Sequence, residues 1–461
     1  MEESLQVINQ DQGLAKGGFE IINNQLHFQN INLMEMIETH GTPLKFTYLP
    51  VISQKIQYMR SLFNSAGASA NYRGKYTYCY CTKSSHFSYI LQEALKNNIG
   101  MEISSAFDIP LIYSLEKSGQ LDYQTLIICN GFKTEAYKKG ILDLVRRGYQ
   151  KIIPILDNME EYDFYEHNLD QPLTIGIRIA SGDTTEAEPF TSRLGIRKEE
   201  VISFYKNKIA GSEHIKVTTL HFFTDNGISE SPFYWQELEK NVRLYAELKV
   251  INPDLCAMDI GGGMPFMDSF QFDFDYEGFV NRIVKKIKSI CEEYQIQEPD
   301  LITEFGKYTV AEASGIIYKV LGKKQQNPQE KWLMLDGSFI TNLPDTWAIG
   351  QKYLLYPVNN LDAPLEKVYL GGITCDGDDY YHLGTNQTKL MMPETRKTQY
   401  IGFFHTGAYQ EVLSGYGGIH HCLLPSPKHI IISRNQNDTL KYKVFAEEQN
   451  SRQALKILGY I

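Results

Sequence analysis

The stretch "YTYCYCTKSSHFSYILQEALKNNIGMEISS", residues 76–105, decides the fold. Its first six residues are Tyr, Cys and Thr, strand-forming types without a charge among them, and they run straight into Lys83. "FSYILQEALKNN" then sets apolar residues three and four apart, the period of a helix that buries one face. "GMEISS" follows as a second short apolar run that ends in polar residues. Strand, helix and strand in this order are the repeating unit of a parallel sheet covered by helices.

The rhythm continues outward. Further runs are "TLIICNG", "KIIPILDN", "LTIGIRI", "VTTLHFF", "CAMDIGGG" and "LITEFGK", with helical stretches such as "FVNRIVKKIKSICEEY" between them. Eight units in about 235 residues fit a closed (β/α)8 TIM-type barrel better than an open doubly wound sheet, the alternative. After about residue 311 the helical period thins, and short pieces such as "GIIYKVL", "KWLMLDG", "TQYIGFF" and "HIIISR" read as an antiparallel β domain. "FEIINNQLHFQNINL" near the start reads as strands that join it. The predicted organisation is an α/β protein: N-terminal strands in 1–40, the barrel in 41–310 and the β domain in 311–461.

Bulk properties narrow the function. A net charge of −10 without a basic stripe argues against nucleic-acid binding. No run approaches eighteen apolar residues, so no membrane span is expected. The start "MEESLQVINQDQG" lacks a basic region followed by an apolar run, and the seven scattered cysteines read as reduced thiols, so a cytoplasmic protein is expected. Cys79 and Cys81 alternate on one strand, and "HHC" at 420–422 offers too few ligands at useful spacing; no metal site is expected.

Barrel chemistry sits at the carboxyl ends of the strands. There the runs present Lys83, Glu102, Asn130, Asp157, Arg178, His221 with Phe223, the glycines Gly261, Gly262 and Gly263, and Glu304 with Lys307. Glycines let backbone N–H groups approach a phosphate, although a tight turn explains them as well. A desolvated lysine loses its proton more readily and attacks carbonyls; a lysine merely paired with Glu102 or Asp157 is the plainer reading. Lysine, phosphate site and opposed carboxylate together fit pyridoxal 5'-phosphate, with Glu304 facing the pyridine nitrogen.

These residues resemble the fold-type III, alanine-racemase-like pyridoxal phosphate decarboxylases from about residue 40 to the end. "YCTKSSH" is similar to the family's Schiff-base lysine segment, which implies Lys83 as the anchor. "GMEISS" brings Glu102, "GIRI" brings Arg178, and "DIGGGMP" resembles the phosphate loop. "TEFGKYTV" resembles the Glu-Pro-Gly-Arg motif, which implies cofactor roles for Glu304, Gly306 and Lys307. "ITCDGDD" resembles the Cys-Asp motif, which implies Cys375 as the group that reprotonates the α-carbon and Asp376 as a substrate ligand. "GAYQEV" implies that Tyr409 reaches the phosphate.

Within the family, "ICNGFK", "SFITNLPDTWAIGQ", "ITCDGDD" and "GAYQEVL" look more like the arginine-decarboxylating branch than the ornithine or diaminopimelate branches. The resemblance implies decarboxylation of a basic L-amino acid, with L-arginine to agmatine first, in polyamine biosynthesis. It also implies a homodimer whose Cys-Asp motif serves the partner's site. Asp345, Asp376, Asp378 and Asp379 could meet a cationic side chain, two of them being expected merely to sit in turns. The sequence departs from the pattern at "FFTDNG", where Phe223 stands for the stacking histidine and Asn226 for a serine, and His221 lies nearby. Lys307 and Phe305 replace the usual arginine and proline. The chain also lacks room for the helical segment inserted in longer arginine decarboxylases. Ornithine, lysine, diaminopimelate and carboxynorspermidine are alternative substrates. A catalytically silent decarboxylase-like regulator and a racemase of the same fold are the alternatives of other classes.

Overall fold

In the computed structural model, which describes residues 11–461 apart from 170, 186, 187, 225, 226, 229, 384, 385 and 388, the eight runs are eight parallel strands closed into a barrel. They are β1 (Tyr76–Cys81), β2 (Gly100–Ile103), β3 (Ile127–Cys129), β4 (Ile152–Leu156), β5 (Leu173–Ile179), β6 (Ile215–Phe222), β7 (Ala257–Asp259) and β8 (Asp300–Glu304). Neighbours in sequence pair around the ring, and β8 returns to β1. Helices cross between successive strands, and the 21-residue helix Pro50–Ala70 precedes β1. The helices follow their sequence periods. Tyr276–Glu293 buries Phe279, Val280, Ile283, Val284, Ile287 and Ile290, and Asp275 caps it by accepting from the Gly278 N–H. Cys79, Ile128, Ile155, Ala257 and Ile302, from β1, β3, β4, β7 and β8, pack together across the barrel interior. Each buried isoleucine there contributes about 1.5–3 kcal/mol.

The barrel unit runs over Ile52–Pro265 and Phe274–Thr309. The second unit holds the described residues up to Val51, with Phe266–Asp273 and Val310–Ile461. It is built on a nine-stranded sheet whose main path is Leu390–Pro393, Leu365–Gly371, Glu330–Leu335, Ser314–Asn327, Leu44–Tyr48, Lys428–Arg434 and Leu440–Ala446. Tyr400–Phe404 pairs with Ser314–Asn327 and with Leu354–Pro357.

Most of these pairings are antiparallel, but Glu330–Leu335 runs parallel to Leu365–Gly371, and Leu44–Tyr48 parallel to Lys428–Arg434, so the sheet is mixed. Leu44–Tyr48 therefore falls with the sheet, where the sequence reading starts the barrel at residue 41. Phe19–Ile22, Gln25–Phe28 and Ile31–Asn32 form a small sheet of their own, and the Leu26 N–H donates to the Val358 carbonyl. Tyr318, Phe339, Tyr381 and Phe403 centre the core of this unit, with ring centroids 5.2–6.2 Å apart. Among the described residues no helix is long and apolar enough to cross a membrane.

Candidate active site

Strand register sets the site. Cys81 of β1 pairs with Glu102 of β2, and Cys79 pairs with Glu304 of β8. His221 of β6 is in register with Arg178 of β5 and with Asp259 of β7. After Cys81 the chain enters a tight turn, Thr82–Ser84, that carries Lys83 beyond the strand. Its side chain stays 42% exposed while Nζ donates to Oε2 of the fully buried Glu102 at 2.5 Å. Burial works against the charge on Lys83, but Cys81, Glu102 and Glu304 outweigh it and hold the amine above the ordinary lysine value. The sequence reading expected desolvation to lower it; nearby acidic groups reverse the sign.

Glu304 closes the opposite side. Asn130 Nδ2 donates to its Oε1 at 2.7 Å, and His221 Nε2 lies 3.5 Å from its Oε2. Burial alone would raise this carboxyl, but the neighbouring His221 and Lys83 push it down to about 2. Asp259 goes the other way, raised by its own burial and by the charge of Glu304. Its surroundings therefore favour the protonated form. Its Oδ1 meanwhile accepts the Gly261 N–H at 2.9 Å. Asp157, the other partner considered for Lys83, accepts the Gly195 N–H.

A polar, phosphorylated ring fits this mouth. Glu102 Oε1, Asn130 Oδ1, Arg178 Nε and His221 Nδ1 are buried and lack hydrogen-bond partners among the described residues, so the strand ends hold both donors and acceptors to spare. The glycine loop is fixed by backbone contact. A Cβ on Gly262 would lie 2.3 Å from the Glu304 carbonyl oxygen, and Gly263, at φ +94, has Gly227 Cα 2.6 Å from where its Cβ would be. Gly306 abuts Ser84, beside the lysine turn. Phe223 is half-buried beside Gly261, and the Arg178 guanidinium sits 5.9 Å from its ring centroid. Lys307 opens the short helix Lys307–Val310 after Glu304. Asn226 lies outside the described residues.

The sheet unit holds the remaining candidates. Asp345 is buried and accepts from Gln410 Nε2 at 2.9 Å, while its own N–H donates to Gln410 Oε1. Tyr409 precedes the Gln410–Leu413 helix with φ +69, left-handed backbone that a residue with a Cβ adopts at a cost. Asp376 is exposed and accepts the Asp378 N–H, a turn contact. Asp379 is buried and consumed: it accepts from Ser338 Oγ, the Phe339 and Ile340 N–H groups, and the N–H and Oγ1 of Thr374. It therefore has no capacity left for a substrate cation.

Cys375 is exposed and faces Cys422, with the sulfurs 3.4 Å apart. Sequence reasoning missed Asp259, the support that Asn130 gives Glu304, Gly227, and the approach of "HHC" to Cys375. Asp259 stood in the quoted "DIGGG", but only its glycines were read.

Residues 55–311 match the family described as "Pyridoxal-dependent decarboxylase, pyridoxal binding domain". A protein named biosynthetic arginine decarboxylase from Prochlorococcus marinus (strain MIT 9515) is 21% identical, over 96% of this chain and 87% of its own length. The biosynthetic arginine decarboxylase structure from Campylobacter jejuni superposes with TM-score 0.82 at 20% identity, covering 98% of this chain and 91% of that one. Diaminopimelate decarboxylase from M. jannaschii, solved with L-lysine, gives TM-score 0.78 at 17% identity over 95% and 97%. At such identities the superpositions establish the fold.

Proposed function

The chain belongs to the pyridoxal-dependent decarboxylases, and from that premise we propose that it decarboxylates a basic L-amino acid, L-arginine first, to give agmatine and carbon dioxide. The observation that carries the reading is the pair of charges fixed at the barrel mouth, an ammonium at Lys83 and a carboxylate at Glu304. Relatives named biosynthetic arginine decarboxylase and a neighbour solved with L-lysine support a substrate with a distal cation.

When bound, pyridoxal 5'-phosphate supplies a protonated ring into which the electrons of the breaking Cα–carboxylate bond delocalise. The chain's residues do the rest. Lys83 anchors the cofactor through its amine, and Glu102 takes up the positive charge whenever that amine is released. Glu304, kept ionised by His221 and Lys83 and held by Asn130, would accept the hydrogen bond of the ring nitrogen. The amide of Gly261 is engaged by Asp259, so phosphate binding falls to Gly262, Gly263 and Gly306, with Arg178, Lys307 and Tyr409 as further candidates. Phe223 offers a flat face for stacking. Cys375 supplies the proton to the α-carbon, and Asp376 and Asp345 are the carboxylates for the guanidinium.

A homodimer in which Cys375 and Asp376 serve the partner's barrel completes the reading. Its support is the set of exposed apolar side chains on the segments that carry these residues. Trp347 and Ile349 follow Asp345, Ile373 precedes Cys375, Val412 and Leu413 follow Tyr409, and Ile419 and Leu423 flank Cys422.

The test is release of carbon dioxide from arginine, ornithine, lysine, diaminopimelate and carboxynorspermidine by the cofactor-loaded protein. Turnover of another substrate with none of arginine overturns the substrate assignment. A protein that stays colourless with added cofactor overturns the enzyme, and a Lys83→Ala variant that keeps the coloured adduct overturns the anchor.

A further inference from the structure

Cys375 lies 47 residues before Cys422, whose neighbour is His421, yet one donor atom from each of the three lies within 4.8 Å of the other two. All three are exposed. The two sulfurs are 3.4 Å apart, and Asp376 Oδ2 lies 3.7 Å from His421 Nε2. Cys422 and Leu423 both adopt left-handed backbone, at φ 56 and 54, in the bend that follows His421.

The spacing discriminates between two uses of paired thiols. Two thiolates on a tetrahedral zinc, at about 2.3 Å each, stand about 3.8 Å apart. A disulfide needs about 2.05 Å. The observed separation is a few tenths of an ångström short of the first and more than an ångström beyond the second. The imidazole adds a third donor that a disulfide would not use. Two sulfurs and a ring nitrogen are soft ligands, which favour zinc-like ions over magnesium or calcium.

We propose that Cys375, Cys422 and His421, with Asp376 in reach as a fourth ligand, form a binding site for a thiophilic divalent cation of the zinc class. The site stands on its own geometry. Its consequence rests on the reading of Cys375 given above: a bound cation occupies that thiolate and withholds the proton the reaction needs, so zinc inhibits. Removal of the cation by a chelator restores the thiol and the rate.

Equilibrium dialysis of the cofactor-loaded, full-length protein against zinc, with a phosphine to keep thiols reduced, tests the site without reference to activity. The expected result is one zinc per chain in the wild type, with affinity weakened about tenfold or more in Cys422→Ser and in His421→Ala. Cys256→Ser, which removes an exposed thiol elsewhere, should leave binding unchanged. Absence of binding, or equal binding in Cys422→Ser, overturns the site. Decarboxylation is then assayed with and without zinc. Inhibition of the wild type that is lost in Cys422→Ser supports the consequence. Stoichiometric binding without inhibition keeps the site and overturns the role of Cys375.

Discussion

Asp259 and Glu304 are two buried carboxyl groups whose surroundings push them in opposite directions, Asp259 up by burial and the charge of Glu304, Glu304 down by His221 and Lys83. The two make opposite contributions to stability. Glu304, depressed in the fold, contributes stability that is present above its unfolded value near 4.5 and is lost as pH falls toward about 2. Asp259, raised in the fold, contributes stability below its unfolded value near 3.8 and loses it as pH rises above that value. Asparagine keeps the acceptor for the Gly261 N–H without the titration. In urea melts of cofactor-free protein, Asp259→Asn should therefore gain on the wild type by about 1.4 kcal/mol per pH unit as pH rises from 4. A pH-independent difference would show that Asp259 is ionised in the fold. Asp259→Ala, which strands the Gly261 amide, should lose about 1–3 kcal/mol. The sequence displayed the charged candidates at this site, because an isolated Lys83 or Glu304 at the end of an apolar run is conspicuous. It did not display the sign of the Lys83 shift, which depends on carboxylates that strand register brings alongside.

At the scale of elements, the glycine loop and the last strand are one piece. The Glu304 N–H donates to the Gly261 carbonyl at 2.9 Å, and the Glu304 carbonyl occupies the space where a side chain on Gly262 would begin. Gly262→Ala must push the loop off β8. Cofactor titration followed by absorbance should show affinity weakened at least about tenfold, since a shift of that kind removes more than one charge-assisted bond. Unchanged affinity would mean that the loop does not hold the phosphate. Asp379 plays a comparable part in the sheet unit, tying the Phe339–Asn342 helix to the turn that carries Cys375. Asp379→Ala should cost about 2–4 kcal/mol in thermal or urea unfolding, because several buried donors lose their acceptor together. The barrel strands were legible because a strand buried on both faces reads as a short unbroken apolar run, as "IICN" and "IIPIL" do. Leu44–Tyr48 is also buried throughout, but nothing in "LKFTY" says which sheet it joins. Its partners at 314–317 and 428–432 lie hundreds of residues away. The two parallel pairings of the sheet unit were illegible because no strand–helix–strand rhythm marks them.

For the whole molecule, the proposed function assigns the chemistry to residues of two units of one chain. Lys83 and Glu304 belong to the barrel, and Cys375 and Asp376 to the sheet unit, whose segments around these residues expose Ile373, Leu413 and Leu423. Apolar side chains of this size are left in water at a cost that a partner surface removes. If the partner is a second copy, two-fold symmetry gives each dimer two sites, each with Lys83 from one chain and Cys375 from the other. Mixing chains then has a calculable result. Lys83→Ala and Cys375→Ala should each be nearly inactive alone. Co-expressed at equal levels, they form mixed dimers about half of the time, and each mixed dimer has one site with both residues intact and one with neither, so activity should recover to about a quarter of the wild type. If each chain instead built its site from its own residues, every site in the mixed dimer would lack one of the two, and the mixture would stay at the level of its parents.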